Sequence, residues 1–254
     1  MPGVRLDCES RESAFDSLRQ LFGCSVERLR AFLSDASVDE EFSRDYQRLP
    51  QFDEFVYQRA CAALGTPQVP EELCWFHGTR VPPGTNFADG ILPLPLALES
   101  LKRSIHETLT NDTDRQEVAT AFARGDGLTF QLQHKLTSGT EFGPFAMFVL
   151  ETALNAHATG QHSYVDMPEI IEDLCLEVQA SCGRDLLPAF EAAWQPTVVK
   201  FVTPAFSPEF HIGVALCYLR SCALHGGPTG SSIANFDGEN TAVPASSILR
   251  VISL

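Results

Sequence analysis

Cys74-Trp75-Phe76-His77-Gly78-Thr79-Arg80, followed beyond a Pro/Gly loop by Phe87-Ala88-Asp89-Gly90-Ile91-Leu92, is the stretch that decides how this chain is read. The short apolar run from Leu73 to Phe76 predicts a strand, and it leads straight into His77. A strand would thus deliver an imidazole to its end. Gly78 would let a ligand come close to the backbone, and a hydroxyl residue and a cation follow. The same residues also read as a plain strand end and turn with an incidental histidine.

Upstream, residues 11–64 read as helical. Phe15, Leu18, Leu21 and Phe22, then Val26, Leu29, Phe32 and Leu33, recur at three- and four-residue steps. A further run, from Phe52 to Leu64, ends at Gly65, a residue suited to the position after a helix. Thr66-Pro67-Gln68-Val69-Pro70 then breaks the pattern. This predicts a helical N-terminal module over 1–66 and a second domain over 67–254. Downstream of 72 the pattern is mixed. Leu98, Leu101, Ile105 and Leu109 predict a helix, as do Val118 to Phe122 and residues 208–224. Strands are expected at Leu128–Leu132, Phe145–Leu150, Val198–Val202 and Ile248–Leu254. The expected class is α+β, without the regular alternation of a doubly wound sheet.

The chain has 254 residues, 44% apolar and 20% charged, so it can bury a core of ordinary size and is not a disordered or collagen-like sequence. Asp and Glu outnumber Lys and Arg by 33 to 18, for a formal charge of -15. A field of that sign repels phosphate backbones, which argues against nucleic-acid partners and favours a partner with a basic surface. The eight cysteines form no CxxC pair and read as small core residues of a reducing compartment. No apolar run approaches the roughly 18 residues of a membrane span. The opening MPGVRLDCES has no apolar segment of a cleavable signal peptide, so a cytoplasmic protein, or one delivered into a host cytosol without such a signal, is expected. Arg outnumbers Lys 15 to 3, in keeping with a GC-rich bacterial source.

His77-Gly78-Thr79 with Gly90-Ile91 resembles the first signature of the ADP-ribosyltransferase superfamily, in its diphtheria-toxin-like His–Tyr–Glu branch. The likeness is close over about 20 residues and loose over 72–254. It implies a split β-sheet core and an enzyme that uses NAD as substrate. It further implies that His77 bonds a ribose hydroxyl and that the Gly78 backbone grips the nicotinamide amide. Thr79 would support the turn, and Arg80 completes the NAD-binding stretch. Cleavage of the nicotinamide–ribose bond passes through an oxocarbenium-like state. Such a site needs a clamp on the departing ring and negative charge beside the developing cation.

For the clamp, the resemblance implies a tyrosine on a later strand. Tyr164, in Gln161-His162-Ser163-Tyr164-Val165, fits best among four tyrosines, with Phe142 and Phe145 as alternatives. Each also reads as an ordinary core aromatic. For the carboxylate, Glu239 precedes the last strand, where the superfamily places its catalytic glutamate, although neither an ExE nor a Glu-Tyr pair is present. Glu169 and Glu172, beside Tyr164 in sequence, are the other candidates. Their segment, Pro168-Glu169-Ile170-Ile171-Glu172-Asp173, equally describes a plain helix start.

No GxGxxG, P-loop or GxSxG is present, and no His or Cys spacing completes a metal site. What the resemblance implies is a mono-ADP-ribosyltransferase acting on a protein. Some bacterial type III effectors with this fold modify host signalling proteins, and one group modifies a threonine of ubiquitin, so the resemblance extends to ubiquitin as acceptor. An NAD glycohydrolase and a non-enzymatic binding module on the same fold are the alternatives. Transfer of a phosphate from RNA, a third reaction of the superfamily, is opposed by the acidic charge.

Overall fold

The computed structural model describes residues 4–124, 130–137 and 143–254. The chain is α+β. It opens with β1 (Arg5–Leu6), then four helices, α1 (Arg11–Phe22), α2 (Val26–Leu33), α3 (Ser37–Asp45) and α4 (Phe52–Leu64), and the long strand β2 (Glu72–Val81). Helices α5 (Leu94–Thr108), α6 (Asp112–Ala123) and α7 (Phe130–Thr137) follow, then β3 (Phe145–Met147) and α8 (Leu150–Leu154). The remainder is α9 (Glu169–Cys182), α10 (Leu187–Ala193), β4 (Gln195–Pro204), α11 (Pro208–His225), β5 (Asn235–Asp237) and β6 (Ile248–Ser253).

The strands form an open sheet of order β5-β3-β2-β4-β6, with β1 parallel beside β2. Register is set by Arg5 opposite Glu72, Leu6 opposite Leu73, and Phe76 opposite Met147 in the antiparallel β2–β3 pair. The chain divides into two compact units. One holds the described residues up to Phe76 with Ala146–Gln161 and Phe201–Phe236; the other holds the described residues of His77–Phe145 with His162–Lys200 and Asp237–Leu254. This division differs from the 1–66 and 67–254 split expected from the sequence. The N-terminal helices share their unit with α11, because the apolar faces of α1, α2 and α4 pack on that helix.

In the first unit the helix starts follow local chemistry. Ser10 caps α1 with a reciprocal bond to Ser13, and Ser25 caps α2 by accepting from the Arg28 N–H. Leu18, Leu21, Leu29, Val56 and Ala60 are buried against an α11 that is itself buried along most of its length. Arg220, 1% exposed, sits inside this packing. Its guanidinium donates to the main-chain oxygens of Phe32 (2.6 Å) and Asp35 (2.8 Å) and pairs with the Asp39 carboxylate, which offsets the cost of burying the charge.

The second unit has its own core of α5, α6, α7, α9 and α10. Ile171, Leu174, Cys175 and Val178 form one face of α9 and meet Ile105, Val118, Leu132, Phe190 and Trp194. Two expectations are corrected here. The strand expected at Leu128–Leu132 is not formed: residues 130–132 open α7, while 128 and 129 lie outside the described residues. Its Phe-Gln-Leu-Gln spacing mimics a two-residue period, but Leu132 and Leu136, four apart, both pack on the core as helical neighbours. The strand expected from Phe145 to Leu150 stops at Met147, since Leu150 already opens α8.

Candidate functional site

The second unit contains a cleft of about 790 Å³. That volume is within the range of small-molecule sites. Its floor is the C-terminal half of β2, and the sequence expectation of a strand ending at His77 is corrected by this. The strand runs on through Gly78, Thr79 and Arg80 to Val81 and stops at Pro82-Pro83. Thr and Val are β-branched and suit a strand, and only the prolines withdraw the backbone donors.

His77, Gly78, Thr79 and Arg80 all line the cleft, and so do Tyr164 and Glu169. Phe145 lines it as well. Glu172 and Glu239 are not among the lining residues. Glu172 stands 3.8 Å from His162 on α9. Glu239 is exposed, on the turn after β5, where its N–H donates to Asp237 Oδ1 at 2.9 Å. Asp237 itself lines the cleft. Phe142 lies outside the described residues.

His77 is held by a bond from Nδ1–H to the main-chain oxygen of Phe145 at 2.6 Å. A carbonyl can only accept, so Nδ1 carries the proton and the neutral ring keeps a lone pair on Nε2. Burial pushes His77 below the ordinary histidine value, and the bond to Phe145 recovers only part of that shift. The ring is therefore a neutral acceptor at Nε2, the state needed to take a hydrogen bond from a ligand hydroxyl.

Gly78 also has a packing role that its sequence context does not show. A Cβ there would stand 2.9 Å from Val165 Cγ2 and 3.7 Å from Tyr164 Cβ. The missing side chain lets the 164–165 segment lie against β2, and this brings Tyr164 beside the His77-Gly78-Thr79 stretch. Arg80 fastens the same segment. Its three nitrogens donate to the main-chain oxygens of Trp194 (3.0 Å), Asp166 (3.1 Å) and Glu191 (2.7 Å). Two of these oxygens belong to the C-terminal end of α10, where a cation is favoured by the helix dipole.

The Tyr164 hydroxyl points at Glu169 Oε1, 3.4 Å away, and its ring meets His162 edge-on with centroids 4.7 Å apart. Burial, followed by the charge and hydrogen bond of Glu169, raises the phenol well above its usual range. Tyr164 is a neutral donor at any pH of interest. Glu169 is also paired with Lys135 at 3.0 Å, and Lys135 reaches Asp173 at 2.5 Å. Burial opposes the charge on Lys135, but its bonds to Asp173 and Glu169 outweigh that and raise its pKa. Burial also raises Glu172, with Asp173 and Glu169 adding to it against His162 and Lys135.

Lys135, Asp237 and Phe87 also line the cleft, beyond the site residues that the sequence points to. Lys135 comes from α7, 34 positions before Glu169, and no local motif joins them. Asp237 ends β5 two residues before Glu239 in an Asp-Gly-Glu turn, which was the available signal. Among the described residues no group of three or more His, Cys, Asp or Glu is placed to hold a metal ion, and no helix is long and apolar enough to cross a membrane. Comparison with protein-family models, with curated proteins and with solved structures finds no match to this chain.

Proposed function

We propose that the cleft binds NAD and that the protein is a mono-ADP-ribosyltransferase. The observation that carries this reading is the meeting, in one cleft, of His77-Gly78-Thr79 with Tyr164 and Glu169, elements drawn from β2 and from a segment more than 80 residues away. In this reading the sheet is the split β-core of that superfamily. His77 accepts from a ribose hydroxyl at Nε2, and the backbone at Gly78 bonds the nicotinamide amide. Tyr164 stacks on the nicotinamide ring. Glu169 supplies the carboxylate charge beside the ribose as positive charge develops there.

The bond between ribose C1′ and the nicotinamide nitrogen breaks, and its electron pair leaves on nicotinamide. A nucleophilic side chain of the acceptor protein then bonds C1′ and loses its proton. Lys135 and Tyr164 hold Glu169 from two sides, and the protein's excess of acid favours an acceptor with a basic surface. Ubiquitin in a host cytosol is the acceptor this reading names first.

The test is incubation of the protein with labelled NAD and pure ubiquitin, read by intact mass and by nicotinamide release, for wild type, His77→Ala and Glu169→Gln. The expected result is one added ADP-ribose with wild type and a loss of at least about a hundredfold in both variants. Nicotinamide release without label on ubiquitin or on any lysate protein would turn the reading to NAD hydrolysis. Absence of nicotinamide release altogether would overturn it.

A further inference from the structure

Phe87, on the loop between β2 and α5, has no part in the chemistry above, yet it lines the cleft half-buried in a backbone state that aromatic residues rarely adopt. Its φ is +53°, in the left-handed region. The loop holds it there from both sides. Thr85 donates from its N–H (3.3 Å) and its hydroxyl (2.8 Å) to the Pro82 oxygen. The Asn86 side chain accepts from the Ala88 N–H at 3.0 Å, and the Gly90 N–H donates to the Phe87 oxygen at 2.9 Å. The far end is pinned by the reciprocal pair of Ile91 and Val243, at 2.9 and 3.0 Å. Residues kept in such a state by their surroundings gather at ligand clamps. Of the lining that follows in sequence, Leu92, Leu94, Ala97 and Leu101 are apolar, interspersed with Asp89, Ser100 and Ser104, whereas His77, Thr79, Tyr164 and Glu169 form a polar set.

We propose that Phe87 and this apolar stretch form a subsite for a second planar ring, with the Phe87 ring stacked on the adenine of NAD. The proposal rests on reading the cleft as an NAD site. Tyr164 lies beside Gly78 and takes the nicotinamide, so the ring left for Phe87 is the adenine. Stacking on an aromatic side chain suits any base face and needs no hydrogen-bond code.

The test is calorimetric titration of the full chain with ADP-ribose, which carries adenine and no nicotinamide, and with nicotinamide mononucleotide, which carries the reverse. Phe87→Ala is expected to weaken ADP-ribose about tenfold and to leave nicotinamide mononucleotide unchanged, and Phe87→Tyr to retain both affinities. Phe87→Gly suits the left-handed backbone and should lose ADP-ribose affinity to the same degree with no fall in thermal midpoint, which separates the ring from the fold. Equal ADP-ribose affinity in wild type and Phe87→Ala overturns the subsite and leaves the NAD reading standing. Loss confined to nicotinamide mononucleotide overturns the assignment of adenine. A wild type that binds neither compound overturns the NAD reading and this subsite with it.

Discussion

Lys135 stands 2.5 Å from Asp173, and this pairing makes its ammonium a fixed charge inside the cleft wall rather than a mobile one. Both side chains are largely buried, at 21% and 10% exposed. Removal of Lys135 leaves the buried Asp173 charge without this partner, whereas removal of Asp173 leaves Lys135 its pairing with Glu169. Lys135→Met is expected to destabilise the protein by about 3 kcal/mol. In a double-mutant cycle with Asp173→Asn, read by urea unfolding, the coupling should be about 1–3 kcal/mol. A coupling near zero would show that Asp173 is held by something other than Lys135.

Two imidazoles make stability depend on pH with a definite sign. Burial holds both His77 and His211 below the ordinary value of 6.5. As pH falls through 6.5 the unfolded chain takes up protons on these rings, and the folded chain does so only at lower pH. Over that window the unfolded state binds more protons, so stability is full above 6.5 and falls on acidification. Unfolding free energies measured at neutral and mildly acid pH should drop more in wild type than in a His77→Gln, His211→Gln double variant. An identical drop in both would exclude these rings as its cause.

Gly90 and Gly84 share a left-handed φ, +86° and +84°, but not their surroundings. A Cβ at Gly90 would fall 2.1 Å from the Val243 oxygen, whereas nothing lies within 4 Å of one at Gly84. Gly84→Ala should cost about 1 kcal/mol, the backbone penalty alone. Gly90→Ala should cost about 3 kcal/mol or more, because the Ile91–Val243 pair must part to admit the methyl group. Thermal or urea unfolding of the two variants side by side measures the difference, and equal costs would contradict the clamp.

Arg80 acts through the wall of the cleft. Arg80→Met removes bonds to three main-chain oxygens and is expected to lower stability by about 3 kcal/mol, since charge-assisted bonds are not additive. Arg80→Lys should recover only part of this, because an ammonium cannot reproduce the guanidinium fork. Full stability in the lysine variant would show that charge, not the three-way geometry, is what matters.

The fold was most legible where one period dominated. The helices at 11–22, 26–33, 52–64 and 208–225 and the final strand follow directly from apolar spacing, and Gly65 does end α4. Elements that depend on tertiary packing were harder to read. Residues 130–132 alternate like a strand yet belong to a helix, because Leu132 and Leu136 find the core of their unit. β5, three residues long, has no period to detect. In the candidate site, His77 to Arg80 stood out as a local motif, and Tyr164 and Glu169 came from one nearby segment. Lys135 could not be found that way, since its pairing with Glu169 and Asp173 exists only once α7 lies on α9.

The close approach at Gly78 has a consequence for assembly of the sheet. If β2 slid by one position, the spot opposite Val165 would receive the imidazole of His77 or the branched side chain of Thr79. A gap that does not admit even a methyl carbon without displacement cannot accept either. The bare backbone at 78 therefore works as a gauge of alignment: only the correctly aligned strand leaves room for the tyrosine-bearing segment to lie against it.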